Sequence, residues 1–78
     1  MFGGIVLRRS ATTLTLKTHD GEKTLVLRPE TRYWCDGLRS AVEELIVNTR
    51  VFVRAGRDFE GNVEVYQAAW GAIVPAPF

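Results

Sequence analysis

Apolar and polar residues alternate along much of this chain. In "TTLTLKT", residues 12–18, Leu14 and Leu16 fall on one side and Thr13, Thr15 and Lys17 on the other. Period two with β-branched residues predicts a strand buried on one face. "EKTLVLR" repeats the pattern, with Leu25 and Leu27 inward and Thr24, Val26 and Arg28 outward. Asp20-Gly21 stands between the two runs, a dipeptide suited to tight hairpin turns. The pair therefore reads as an antiparallel hairpin. "FGGIVLRR", residues 2–9, precedes it as a first strand, and Gly3 and Gly4 suit a bulge or sharp bend.

"RPETRYWCDGL" breaks the alternation. Pro29 is expected to end the third strand, with a short extended piece resuming over residues 31–34. "SAVEELIVN" is the one helical stretch. Ser40 and Glu43 fit a capping box, and Val42, Leu45 and Ile46 share a stripe from which Glu43 and Glu44 point away. Two turns are the most this supports. "RVFVRAG", residues 50–56, alternates again, with Val51, Val53 and Ala55 inward and Arg50, Phe52 and Arg54 outward. After the turn "RDFEGN" comes a last strand, with Val63 and Val65 inward. Its parity is ambiguous near Ala68-Ala69, a place for a bulge.

Three strands, a short helix and two strands predict an all-β fold: a five-stranded OB-like barrel with one short helix between strands three and four. A plain five-stranded meander and an SH3-like barrel rank lower, the latter because it lacks a two-turn helix before strand four. Residues 1–74 form the expected barrel domain and residues 75–78 a proline-containing tail.

"GGIV", "LTLKT", "DG", "KTLVL" and "PET", then "VFVRAG", "GN" and an alanine, resemble a small bacterial OB-like domain of unknown function found in secreted and periplasmic proteins. The matching positions are Gly4 to Val6, Leu14 to Thr18, Asp20-Gly21, Leu25 to Leu27, Thr31, Val51 to Gly56, Gly61 and Ala68 or Ala69. The resemblance implies a barrel and brings no catalytic residue. Two features depart from the family pattern. "GLRSAVEELIVNT" is longer than the usual link before strand four, and "YWCDG" is bulkier. Both elaborate the same end of the barrel.

Composition narrows the chemistry. Seventy-eight residues make one domain with a thin core. One cysteine and one histidine exclude an internal disulfide and argue against an all-protein zinc site. Self-association is the staple left open to so small a fold. Ten Lys+Arg against nine Asp+Glu give +1, too neutral for a general nucleic-acid or membrane-surface binder. Eight of those ten cations are arginines, which make planar, bidentate and stacking contacts. No run of about twenty apolar residues predicts a membrane-spanning helix. The opening apolar stretch precedes its charges, the reverse of a secretory signal.

Cys35 lies in "RYWCDGL". A nucleophilic thiol needs a base beside it, and the only histidine, His19, sits at the distant hairpin. Cys35 is expected to pack under the helix, with Trp34 and Leu38 closing the barrel beneath Val42, Leu45 and Ile46, and Asp36-Gly37 turning the chain toward the helix. The stronger candidate site is the outward face of strand four. Arg50, Phe52 and Arg54 alternate basic, aromatic, basic, and Arg57 follows. Tyr66 and Trp70 extend this platform if parity holds. Aromatics among arginines are how OB barrels stack bases and hold phosphates. In the competing account, Phe52 packs on a neighbour while Arg50 and Arg54 pair with Glu64 or Glu60.

Asp20, Glu22, Asp58, Glu60 and Glu64 give no carboxylate pair that the sequence places at catalytic distance, and no P-loop, G-x-G-x-x-G, C-x-x-C or H-E-x-x-H is present, so neither a metal nor a cofactor is expected. The tail "AIVPAPF" is expected to dock on the barrel or on another copy, or else to be a linker. The expected function is a non-catalytic binding or assembly module with self-association or a protein partner. The alternative is an OB-type single-stranded nucleic-acid binder, and an enzyme centred on Cys35 ranks last. A lone cysteine fits a reducing compartment and the family resemblance points to export; both stand.

Overall fold

In the computed structural model, residues 2–72 are described. The expected tail, 75–78, and the last two residues of the expected barrel domain lie outside them. The elements run β1 (Phe2–Arg9), β2 (Thr13–Thr18), β3 (Gly21–Cys35), β4 (Leu38–Ser40), a 3-10 turn (Val42–Glu44), β5 (Arg50–Arg57) and β6 (Val63–Trp70). The sheet order is β2-β1-β5-β6-β3-β4, and β2 also pairs with β3. That extra pairing closes β1, β2, β3, β6 and β5 into a five-stranded barrel and leaves β4 as an arm on its edge. Every pairing is antiparallel except β3 with β6. The fold is therefore all-β, a closed barrel compatible with the OB-like expectation. No helix among the described residues is long and apolar enough to cross a membrane.

The alternation read from the sequence builds the core. Leu14, Leu16, Leu25 and Leu27 meet Val6, Val51, Val53 and Val65 inside the barrel, and Tyr33, Leu45, Ala68 and Trp70 complete it. Tyr33 and Trp70 pack edge to face, their centroids 6.5 Å apart. The β2–β3 hairpin forms as expected. His19 and Asp20 turn the chain at negative φ, and Gly21 follows at φ +99°. That glycine takes the left-handed position that commonly follows such a turn.

Four local expectations change. The bulge in β1 lies at Leu7, because Val6 pairs with Leu16 and Arg8 with Thr15. The glycines serve close approach instead. A Cβ on Gly4 would stand 2.8 Å from the Lys17 carbonyl oxygen, and one on Gly3 would press on the Phe52 ring.

Pro29 does not end β3. The strand runs on through it, and β3–β6 pairing skips from Leu27 to Arg32. A proline is tolerated where no ladder partner claims its missing N–H. Thr31 closes this bulge: its buried hydroxyl accepts from Arg28 N–H at 2.9 Å and donates to the Val65 carbonyl at 2.7 Å.

Asp36-Gly37 does not lead into a helix. At φ 52° and 79° it forms the two-residue turn of a β3–β4 hairpin in which Cys35 pairs with Leu38. The helix itself is a single 3-10 turn, which Ala41 precedes with no side-chain cap. Ser40 belongs to β4, so the capping box does not form.

The lid also differs. Leu45 is fully buried and its carbonyl accepts from Arg9 Nε at 2.7 Å. Val42 and Cys35 pack beside the core. Leu38 and Ile46, 73% and 65% exposed, take no part.

Candidate binding surface

β5 sets the first half of the surface. Val51 and Val53 are fully buried in the barrel, so Arg50, Phe52 and Arg54 between and beside them face outward. Phe52 pairs with Gly3 on one side and Ala69 on the other, and its ring lies over Gly3, where any side chain would intrude.

β3 sets the second half. Its inward parity continues across the bulge: Leu25, Leu27, Thr31 and Tyr33 are all buried. Arg32 and Trp34 therefore point out. Trp34 pairs with Ala69 and Arg32 with Gln67, and residues opposite one another in a ladder share a face. One row across the outer wall thus reads Gly3, Phe52, Ala69, Trp34, Arg39, and the next reads Arg54, Gln67, Arg32. Ala69 retains no accessible surface although it lies on the outside. Its two cross-strand partners, Phe52 and Trp34, are the bulky groups flanking it. Their strands are two spacings apart, about 10 Å.

The surface is basic. The Arg50 guanidinium lies 5.8 Å from the Phe52 centroid and that of Arg39 lies 5.6 Å from Trp34. Trp34 Nε1–H donates to Gln67 Oε1 at 3.2 Å. Among the described residues Arg32, Arg39, Arg50 and Arg54 make no ion pair; the pairs are Arg8–Glu22, Arg28–Asp58 and Arg28–Glu64. The expected pairing of Arg50 and Arg54 with Glu64 or Glu60 is thus not made. Arg28 holds Glu64 instead, at 3.0 Å.

Asp58 heads the β5–β6 turn. Burial opposes its charge, but the backbone N–H groups of Asn62 and Glu60 and the Arg28 guanidinium outweigh that, and its pKa is lowered. The Arg28 guanidinium is correspondingly raised, chiefly by its bond to Glu64.

Three of the six residues singled out from the sequence, Arg50, Phe52 and Arg54, come together on this wall. Trp70 does not join them. Arg54 pairs with Gln67 and Ala55 with Val65, so Tyr66 is an extra residue in β6. This bulge, ahead of the expected Ala68-Ala69, reverses the parity and sends Trp70 into the core at 6% exposure. Arg57 lies at the far end of β5, where Nη1 donates to the Gly61 carbonyl at 2.9 Å. Tyr66 is 47% exposed but turns its ring over Gly56, where a Cβ would collide with its hydroxyl. It lines a groove of about 540 Å³ at the β3–β6 bulges, with Arg28, Glu30, Arg32 and Gln67.

Sequence reasoning missed Arg32, Trp34, Arg39 and Gln67. Counting period two onward from Leu27 through Pro29 would have placed Arg32 and Trp34 outside. Cys35 is half-buried against the core, and the described residues hold no group of three or more metal-ligating side chains. Comparison with protein-family models, curated proteins and solved structures gives no match to this chain.

Proposed function

We propose that this chain is a non-catalytic binding module whose working surface is the outer wall of β5, β6 and β3. The observation that carries the reading is the flanking of buried Ala69 by Phe52 and Trp34 on the solvent side of the barrel. Two aromatics held there, among four arginines without acid partners among the described residues, form a surface with planar and cationic elements to offer a ligand. The resemblance to the small bacterial OB-like module supports the same role, since it brings a barrel without catalytic residues.

A second copy is a weaker occupant for this wall. A two-fold contact places the same patch on both partners, which would set arginines against arginines.

Amide and side-chain NMR on the labelled protein tests the reading. Inorganic polyphosphate, a sulfated polysaccharide and an oligothymidylate are titrated in turn. At least one shifts the Trp34 indole, the Gln67 side-chain amide and the Arg32 and Arg54 Nε resonances, and leaves Thr15 and Thr24 unmoved. Shifts confined to another region, such as the exposed Phe59 turn, would sink the assignment.

A further inference from the structure

Resting on that reading of the wall, we propose that its ligand is single-stranded nucleic acid, with Trp34 and Phe52 as stacking groups and Arg32, Arg39, Arg50 and Arg54 as phosphate contacts. Near-neutral net charge argues against this only if charge is spread evenly, and it is not. The two outer rows of the wall hold Arg39, Arg54 and Arg32 and no acid, and its four arginines pair with no acid among the described residues, whereas Glu22, Asp58 and Glu64 are engaged elsewhere by Arg8 and Arg28. Arg50 and Arg39 already lie close to the two rings, so guanidinium and aromatic planes are offered together, the combination on which unstacked bases settle.

Gln67 adds a base-edge contact. Its Oε1 accepts from the Trp34 indole, which can only donate. Its amide N–H groups, between Arg54 and Arg32, can therefore donate to a base carbonyl. A sulfated polysaccharide would meet the arginines but has no planar ring bearing a carbonyl for these groups. The groove at Arg32, Tyr66 and Gln67 continues the wall; Arg28 holds Glu64 within it, and Glu30 on its rim bounds how far a phosphate backbone follows it. A duplex keeps its bases stacked and out of reach of the two rings.

The location departs from the strand two–three face through which OB barrels bind oligonucleotides. Where β2 pairs with β3, over residues 13–18 and 21–26, that outer face carries Thr13, Thr15, Thr24 and Val26 and no aromatic; Trp34 lies further along β3, beyond the β2 ladder.

The test is a fluorescence titration of the full chain with an oligothymidylate of about ten nucleotides at about 50 mM salt, beside the matching duplex and heparin. Stacking on Trp34 quenches emission, while buried Trp70 is unaffected. Trp34→Phe keeps a stacking ring, so it weakens binding, followed by anisotropy of a labelled oligonucleotide, less than Trp34→Ala does, and it loses the quenching. Trp34→Ala weakens binding about tenfold or more, with unchanged far-ultraviolet dichroism and a cooperative melt showing an intact fold. Neutralising about four phosphates weakens single-strand binding about fiftyfold between 50 and 200 mM salt.

No binding of oligothymidylate at low salt overturns the proposal, as does binding that Trp34→Ala leaves unchanged. Preference for the duplex or for heparin overturns it too. In that case the NMR map decides separately whether the wall is still the working surface.

Discussion

The indole N–H of Trp34 donates to the side-chain carbonyl of Gln67 across the β3–β6 seam at 3.2 Å. The bond spans, on the outside of the barrel, the one parallel pairing among the described residues and fixes how the indole lies beside Ala69. Gln67→Leu removes the acceptor and keeps the bulk. It should cost about 0.5–1.5 kcal/mol, the range for one net hydrogen bond, and speed exchange of the Trp34 indole proton. An unchanged exchange rate would mean that packing alone holds the ring.

Leu45 and Ile46 are neighbours with opposite fates, one fully buried and the other mostly exposed. Leu45→Ala should lose about 2–5 kcal/mol in denaturant unfolding, because it opens a cavity in a core of few side chains. Ile46→Ala should stay within about 0.5 kcal/mol of the parent. Equal losses at the two positions would show a helical stripe rather than a single plug.

Thr31 satisfies two backbone groups at the β3 bulge with one hydroxyl. Thr31→Val leaves the Val65 carbonyl and the Arg28 N–H without that partner and should cost about 1–3 kcal/mol. Thr31→Ser retains the hydroxyl and should retain most of the stability. Thermal melts of the two variants side by side give the comparison; a serine variant as weak as the valine one would shift the cause to the methyl group.

Asp58 links stability to acid. Its folded pKa lies below that of the unfolded chain, so its contribution is present above an ordinary carboxylate pKa of about 4. That contribution fades as pH falls through the lowered folded value. Asp58→Asn keeps an oxygen acceptor for the Glu60 and Asn62 N–H groups but removes the charge opposite Arg28. The variant should be less stable than the parent at pH 7, and the gap should narrow on acidification below about pH 4. A gap that stays constant with pH would remove the charge from the explanation.

Local pattern determined much of this protein. Leu14, Leu16, Leu25, Leu27, Val51, Val53 and Val65 were legible as core, since a strand with one buried face must alternate. The β2–β3 hairpin was legible in Asp20-Gly21, and the outward set Arg50, Phe52 and Arg54 followed from the same count. What the tertiary structure decided lies where the count is interrupted. Pro29 marks a strand end by local rules, yet β3 passes through it because its partner strand skips that segment and Thr31 supplies the missing bonds. Tyr66 is an ordinary strand residue by composition, yet as a bulge it turns Trp70 inward. The two tryptophans thus take the roles opposite to those read for them: Trp34, expected in the lid, stands on the outer wall, and Trp70, expected on the wall, fills the core. A single inserted residue costs little locally but reverses every side chain beyond it. Only the packing of all five barrel strands determines where that reversal falls.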